Sequence, residues 1–513
     1  MTRSSTVLFV LVLFGLFPAS TIAQDLPVHS DSLSLSLDQA ISRAVQASEE
    51  IQLARTQVDF AEAQIRAARA EALPQINGNA GYTRTLASAF DTGGGGFTLP
   101  DSLQFNPNPN APLEERVRYL EDRTPIAALG SLGALFSDLP FGQENAYAFT
   151  ISGSQLLYSG GRVSAAMRIA RNLRDAAQYT LQEDLADLEL QIRSAYYQAQ
   201  FAQELITISE AAIERAQRFL NEEQLRRRAG QASDLDVLRA EVELENLRPQ
   251  LVQANNTAEL AMLNLKRLVN IPVDQPVKLT TPLAPPSPEE RAQVALDPEV
   301  AIAQRAAIRA AEEQVAILKD NIRIARSAFL PSASLNTSYG RQLFPQTLFG
   351  FNEEWRKDWT IGVSLQVPIF DGFRRSAAVQ QARVELRQAE LQRDMLKEGI
   401  ELEYQQALGE RQRALAQVDA SARTVEQAER VYNLTELQYD EGQATQLEVF
   451  SAQLALLQAR TNYAQALADY YEASASTNRA LGLISPTVRA ATLGSTSLID
   501  ATPAPSTGGA TSD

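Results

Sequence analysis

The sequence predicts a chain of mixed α-helices and membrane-spanning β-strands that contains two structural repeats. The first observation is a stretch used twice, since residues 225–248 and 437–460 share Gly-Gln-Ala at a constant separation of 212 positions. The second is that a long helical pattern precedes each copy and another follows it. The third is that each half of the chain also carries two segments in which polar and apolar residues alternate. We therefore expect two helical hairpins, each joined to a pair of strands.

The helical segments are defined by their apolar spacing and by proline. The first runs from Leu37 to Leu73, where Pro74 closes it. Proline-free helices follow at about 162–229 and 373–441, each roughly 69 residues and roughly 100 Å long. Shorter helices are predicted at about 299–329 and after each Gly-Gln-Ala copy, to about residues 269 and 482. Two short helices placed end to end therefore match one long helix.

The repeated Gly-Gln-Ala stretches have the chemistry of helix reversals. Gly230 and Gly442 follow the last turn of a long helix, and Ser233 and Thr445 are suitable N-caps for the next one. Each stretch therefore predicts the tip of a helical hairpin. Arg226 to Arg228 are expected to act as basic residues at a helix C-terminus, and a salt bridge to Asp234 or Asp236 is the alternative.

Heptad spacing of apolar residues follows both tips. The helix that follows the second tip carries two such stripes, one beginning at Leu447 and the other at Val449. Two seams suit a wall in which every helix has a neighbour on both sides. The stripes alone leave open a multi-helix bundle with an apolar centre.

Four strands are predicted, near 76–83, 146–156, 333–339 and 359–367. Strands of about ten residues, tilted, span the apolar band of an outer membrane. Four strands cannot close a barrel, so the barrel must be shared between chains. A dimer gives eight strands and a filled interior, whereas a trimer gives twelve and a lumen that a helical tube can continue. Aromatic residues suited to interface girdles accompany them: Tyr82, Tyr147, Phe149, Tyr339, Trp355 and Trp359.

Composition narrows the function classes. The chain has no cysteine, a single histidine (His29) and a net charge of −16. These values argue against thiolate or histidine metal sites, a histidine-based catalytic centre and nucleic-acid binding. The four glycines at 93–96 are interpreted as a loop, not a phosphate cradle. We expect a protein that is not an enzyme and needs no cofactor.

The predicted domain boundaries follow from these patterns. An apolar run before Pro18 and a small-residue site predict a secretory signal peptide cleaved before Gln24. The expected divisions are a signal peptide at 1–23, an N-terminal tail at 24–36, a first repeat at 37–270 with a long loop or partial lid at 86–143, a linker at 271–298, a second repeat at 299–484 and a disordered tail at 485–513.

Together these motifs resemble those of the TolC family of outer-membrane efflux proteins, over essentially the whole mature chain. The resemblance is carried by Leu73-Pro74 and Leu330-Pro331 at the helix-to-strand crossovers, by Tyr158-Ser159-Gly160-Gly161-Arg162 and Phe370-Asp371-Gly372-Phe373-Arg374 at the returns, and by the two tips. Each motif is weak alone, and their order, duplication and spacing are specific.

The resemblance implies a homotrimer with a twelve-stranded barrel in the outer membrane, continued by a twelve-helix periplasmic tunnel. It implies a passive exit duct for efflux or type I secretion that opens when a periplasmic adaptor engages its tips, alongside an inner-membrane transporter. The adaptor-contacting positions implied here are Gly230, Gln231, Ala232, Ser233, Gly442, Gln443, Ala444 and Thr445. The implied aperture positions are Glu448, Ser451, Asp236 and Asp234, although Ser451 departs from the acidic residue of the family pattern.

Two alternatives accompany this interpretation. The chain as a whole could be a secreted coiled-coil scaffold whose alternating segments form a small soluble sandwich. Glu448 could be a first-turn acid that complements the helix dipole, with no role in a gate.

Overall fold

The computed structural model describes residues 32–86, 107–123, 144–292, 305–345 and 354–490, with the shorter stretches 299, 302–303, 347–348 and 351. Its elements, in chain order, are β1 (Leu33–Leu35), α1 (Leu37–Ala47), α2 (Glu49–Ala70), β2 (Gln75–Arg84), β3 (Asn145–Tyr158), α3 (Arg162–Arg228), α4 (Asp234–Leu268), β4 (Val277–Leu279), α5 (Pro288–Arg291), α6 (Ala306–Ser327), β5 (Ser332–Leu343), β6 (Arg356–Gln366), α7 (Arg374–Asp440) and α8 (Gln446–Ala480). A further short helix lies at 113–123.

The four longer strands form one antiparallel sheet in the order β2-β3-β5-β6. Its two faces differ in chemistry, as the alternation predicts. On one face Ile151 lies opposite Tyr339, which lies opposite Trp359. On the other face the hydroxyls of Ser334 and Ser364 are 2.7 Å apart. Both outer strands, β2 and β6, are exposed along their whole length.

The helices form two long antiparallel hairpins. The long arms α3 and α7 have 67 residues each, and the return arms α4 and α8 have 35 each. The arm α3 packs against α4, α2, α6 and α8, while α7 packs against α8 and α6. The order α2-α3-α6-α7 therefore continues the strand order of the sheet.

The turns between sheet and long helix need left-handed backbone. Gly160 has φ 62°, and a Cβ there would lie 2.8 Å from the Cβ of Leu330, so the turn packs directly against the α6–β5 connection. The residue before α3 is Gly161, at φ 85°, and the residue before α7 is Phe373, at φ 66°. A left-handed backbone costs a non-glycine residue roughly 1–2 kcal/mol. The second turn therefore carries strain that the first avoids.

The largest core cluster joins α1, α3 and the end of α4 to the small parallel sheet of β1 and β4. Tyr196 is fully buried there; its hydroxyl donates to the Leu35 carbonyl oxygen at 3.0 Å and accepts from the Thr281 amide at 2.9 Å. The ring of Tyr197 stacks on Tyr471 of α8 with centroids 4.3 Å apart. This cluster ties the first hairpin to the linker and to the second hairpin.

Three boundary predictions are wrong in detail. The helix predicted from Leu37 is interrupted at Ser48, whose side chain caps α2. The predicted N-terminal tail ends earlier than residue 36, because Leu33 to Leu35 pair with β4. Residue 485 is too early a start for the predicted disordered tail, because Val488 is fully buried in the largest core cluster. Residues 491–513, the predicted signal peptide and most of the predicted loop at 86–143 lie outside the described residues.

Within the described part of the chain, no helix combines the length and apolarity that crossing a membrane requires.

A cluster of buried charges joins four helices at one level. Arg305, whose side chain is 2% exposed, donates to Glu183 of α3 at 2.8 Å and to Glu403 of α7 at 3.0 Å. Arg479 of α8 also pairs with Glu403, and with Asp187 of α3 at 2.6 Å. Burial raises the pKa of Glu403, but the two guanidiniums outweigh burial and hold that pKa below its usual value. The cluster therefore links both hairpins while the Glu403 carboxylate stays ionised.

We expect Arg305→Ala to destabilise the protein by about 3 kcal/mol, since Glu183 and Glu403 lose their fully buried partner and keep only the partly exposed Arg479. The lower end of the range applies because Glu403 is partly solvated. Thermal unfolding of the purified protein measures this change. The matched control is Arg309→Ala, which removes an exposed pair with Glu312 and should change stability by about 0.5 kcal/mol or less. Equal effects of the two substitutions would contradict the role of the cluster.

Candidate gate and partner-contact surface at the helical tips

Both tips are built as helix stops of the same kind. The amide of Gln231 donates to the Arg226 carbonyl at 2.8 Å, and the amide of Gln443 donates to the Gln438 carbonyl at 2.7 Å. These six-to-one hydrogen bonds are the mark of the Schellman motif. Gly230 and Gly442 have φ values of 71° and 77°. A Cβ at either glycine would meet nothing within 4 Å, so the backbone angle, and not space, requires glycine.

The next helix begins at both tips with a capping box. Ser233 caps α4, and the Asp236 carboxylate accepts a hydrogen bond from the Ser233 amide at 3.1 Å. Thr445 caps α8, and the Glu448 carboxylate accepts from the Thr445 amide at 2.6 Å. These hydrogen bonds to Ser233 and Thr445 lower the pKa values of Asp236 and Glu448. Both acids are therefore ionised and positioned by their own caps.

Most residues of the two tips are accessible. Gly230, Gln231 and Ser233 are exposed and Ala232 is half-buried, and the second tip repeats this pattern at Gly442, Gln443, Thr445 and Ala444. One residue pair gives the surface an apolar component, since Leu235 and Leu447 are both largely exposed. Each tip therefore offers a small mixed surface for a partner.

Polar contacts hold the two tips to each other. Arg226 at the end of α3 forms an ion pair with Asp440 at the end of α7, and its guanidinium lies 4.9 Å from the centroid of the Tyr439 ring. The buried side chain of Gln446 donates to the Asp236 carbonyl at 2.8 Å. A second buried glutamine, Gln453, donates to the Ala212 carbonyl at 3.1 Å. These contacts link the two hairpins near their tips.

The predicted aperture residues have different surroundings. Asp234 pairs with Arg227 across its own tip at 3.0 Å, which is the alternative that the sequence left open. Ser451 donates its hydroxyl to the Leu447 carbonyl at 2.8 Å within α8. Asp236 and Glu448 belong to the caps. The four residues therefore lie near the tips, but within one chain they do not form a single cluster.

A buried acid lies behind the tips. The Glu223 side chain on α3 is inaccessible to solvent, and neither of its carboxylate oxygens has a hydrogen-bond partner among the described residues. The nearest cation is Arg226, whose Nε lies 3.8 Å away. Burial raises the pKa of Glu223, and the negative charges of Asp236 and Asp440 raise it further. The Tyr439 hydroxyl and the Arg226 guanidinium lower this pKa, but burial outweighs them. The packed tips therefore favour the neutral acid.

Sequence reasoning missed these inter-tip residues. Glu223 follows Ala212, Ala216 and Phe219 at spacings of three and four, so an acid on an apolar stripe was the available signal. Gln446 and Gln453 gave no such signal, because a glutamine on an amphipathic helix is equally suited to the surface.

Comparison with known structures defines the class of fold. The chain has the fold of the outer membrane channel CmeC of Campylobacter jejuni, with a TM-score of 0.68 and 17% identity over 90% of this chain and 89% of that one. Helical hairpins joined to an amphipathic antiparallel sheet are thus the fold that this chain shares with CmeC.

The family follows from the sequence comparison. The model of the outer membrane efflux protein family matches residues 128–270 and 298–483. The chain therefore belongs to the outer membrane efflux protein family, and it is a protein of the outer membrane with its helical part in the periplasm.

Two curated relatives are similar over part of their length. Protein CyaE of Bordetella pertussis is 28% identical over 250 residues, which are 48% of this chain and 52% of that protein. The alkaline protease secretion protein AprF of Pseudomonas aeruginosa is 26% identical over 249 residues, 46% of this chain and 49% of that protein. The chain spans about half the length of the curated relatives it matches.

We expect the packing of the tips to weaken as pH rises. For an acid whose pKa is raised on folding, the stabilisation is fully present below the unfolded value of 4.5 and is lost as pH rises through the folded value. Glu223→Gln keeps the neutral form at every pH. Thermal unfolding between about pH 5 and about pH 8 should therefore depend less on pH in this variant than in the wild type.

The control for this comparison is Glu241→Gln, which changes an exposed acid on α4 and should leave the wild-type pH dependence intact. A Glu223→Gln protein with the same pH dependence as the wild type would contradict the assignment.

Proposed function

We propose that this chain forms a passive, energy-independent exit channel through the outer membrane as a homotrimer. The observation that carries the proposal is the four-stranded sheet, which has one apolar face, one polar face and two edge strands exposed along their whole length. An open sheet of this kind leaves a row of unpaired backbone groups at each edge. In a membrane such groups must be paired, so β2 and β6 pair with other copies of the chain.

The number of copies follows from the number of strands. Two chains supply eight strands, whose interior is filled by side chains, whereas three chains supply twelve, which leave a lumen. The polar face with Ser334 and Ser364 then lines the lumen, and the apolar face with Trp359 meets lipid. The twelve long helical rods of the trimer continue this lumen as a periplasmic tunnel.

The helices support a contact between copies. Both α4 and α7 carry large apolar side chains that this chain leaves exposed, and on a helical wall these stripes are covered by the next protomer. They are Leu235, Leu238, Val242, Val252 and Leu260 on α4, and Val384, Leu391, Met395, Leu402, Val431, Leu434 and Leu437 on α7.

The chain is organised in this proposal as two structural repeats, at 37–270 and 299–484, joined by the linker 271–298. Each copy supplies two tips, Gly230 to Ser233 and Gly442 to Thr445, so the trimer has six. A periplasmic adaptor docks at these tips. An inner-membrane transporter supplies the energy, so the chain itself is not an enzyme. Adaptor binding competes with the contacts between Arg226 and Asp440 and between Gln446 and Asp236, and so opens the periplasmic end.

A secreted protein is the cargo that one comparison favours, because the name of the relative AprF refers to secretion of an alkaline protease. The exposed acids at the tips suit a constriction that prefers cations. Glu448, Asp236 and Asp234 supply negative charge there, and Ser451 supplies none.

Planar-bilayer recording of the purified full-length protein tests the proposal. We expect ion conduction without nucleotide, with a preference for cations. Glu448→Gln should lower this preference, because glutamine preserves the capping box with Thr445 and removes only the charge. Glu241→Gln, which changes an exposed acid about two turns further along α4 from the tip, is the control with unchanged selectivity.

Two results would count against these assignments. A membrane-inserted protein that conducts under no condition would contradict the channel. Unchanged ion selectivity in Glu448→Gln would leave this residue only its role as a helix cap.

A further inference from the structure

A groove lies between the end of α6 and the first turns of α7, directly beyond the membrane sheet. Its volume is about 600 Å³, and its walls combine two arginines with two phenylalanines and short polar side chains: Arg326, Phe329, Phe373, Ser376, Gln380 and Arg383. An anionic group and an apolar group could be bound there together.

The groove opens on the same side as the apolar face of the sheet. Ile324 of α6 lines a different cavity, together with Ser334 and Asn336 of the polar face. Arg326 is two residues further along the helix and so lies roughly 200° around it from Ile324. The side chain of Arg326 is therefore on the opposite side from the polar face, where the apolar strand surface meets lipid.

The two arginines lack side-chain partners in the part of the chain that the structure describes. Neither Arg326 nor Arg383 has a side-chain hydrogen bond or ion pair among the described residues. The neighbouring Arg375 behaves differently, since it pairs with Asp371 at 2.8 Å and lies 5.1 Å from the centroid of the Phe329 ring. Two cations on one groove favour an anion, and guanidinium is well suited to phosphate oxygens.

Phe373 indicates an apolar partner. Its backbone is left-handed, at φ 66°, where the corresponding turn before α3 has Gly161. Its side chain is 75% exposed, and its ring contacts that of Phe370 edge to face with centroids 5.7 Å apart. A strained and exposed phenylalanine gains little from the core of this chain. Aromatic side chains at this level of a membrane protein pack at the lipid interface.

We propose that this groove binds a glycerophospholipid of the membrane. The lipid phosphate lies between Arg326 and Arg383, and an acyl chain packs on Phe329 and Phe373 towards the apolar strand face. The inference rests on the outer-membrane location and not on conduction, and it concerns a lipid bound at a defined place in addition to the surrounding bilayer.

Native mass spectrometry of the full-length protein in detergent, titrated with phosphatidylglycerol, tests the site. The variant Arg326→Gln/Arg383→Gln should bind this lipid about tenfold more weakly or worse, because it loses charge-assisted hydrogen bonds to the phosphate. Arg228→Gln, an exposed arginine at the far end of α3, should bind as the wild type does. Retention of the lipid at wild-type affinity by the double variant would overturn the proposal.

Two other ligands identify the source of the anion. Diacylglycerol with the same acyl chains lacks the phosphate and should bind much more weakly than phosphatidylglycerol. Inorganic phosphate lacks the acyl chains and should not displace the lipid. Equal binding of diacylglycerol, or displacement by inorganic phosphate, would overturn the assignment to a phospholipid.

A second variant separates the lipid contact from folding. Phe373→Gly relieves the left-handed strain, so it should raise the thermal unfolding midpoint in lipid-free detergent while it lowers phosphatidylglycerol retention. Lipid retention equal to that of the wild type would overturn the role of Phe373. Dissociation of the oligomer in this variant would also overturn it, since a second copy of the chain would then be the occupant.

Bilayer recording distinguishes failure of this inference from failure of the proposed function. The double arginine variant should conduct as the wild type does, because the groove lies outside the lumen. A protein that conducts and retains no lipid refutes the lipid site alone.

Discussion

An unclosed membrane sheet is the constraint on which the rest of the molecule depends. The strands β2 and β6 bound a sheet of only four strands, and both are exposed throughout. Neither water nor a bilayer stabilises an amphipathic sheet with two free edges, so closure with further copies is required. In the proposed trimer, each hairpin must continue the wall of the barrel below it. The equal lengths of α3 and α7 meet this geometric requirement.

Cohesion differs along the helical part of the chain. Near the largest core cluster, Arg305 and Arg479 link both hairpins through buried ion pairs, and Tyr196 ties α3 to the linker. At the tips, the hairpins meet through an ion pair of Arg226, a buried apolar cluster, and Glu223, a buried acid for which the described residues supply no hydrogen-bond partner. Motion on partner binding is expected where packing is least stable. The structure therefore favours opening at the tips, while the region around the Arg305 ion pairs stays fixed.

The positions of the long elements were predictable because periodic patterns extend over many turns. The strand pairs, the two long helices and the glycine stops at Gly230 and Gly442 follow from local chemistry that tertiary contacts do not alter. The break at Ser48 was missed although its cause is local, since the Ser48 side chain caps α2. The ordered residues around Val488 did not follow, because they depend on packing against elements distant in the sequence. At the tips, the caps were predictable from spacing, whereas the burial of Glu223 depends on how two hairpins meet.

The number of copies in the purified assembly tests the account most directly. Native mass spectrometry of the full-length protein, released from detergent micelles, measures this number without assumptions about cargo or partners. The account predicts three copies, since only three supply the twelve strands that close a barrel around a lumen. A stable monomer or dimer with its sheet still inserted in the membrane would contradict it.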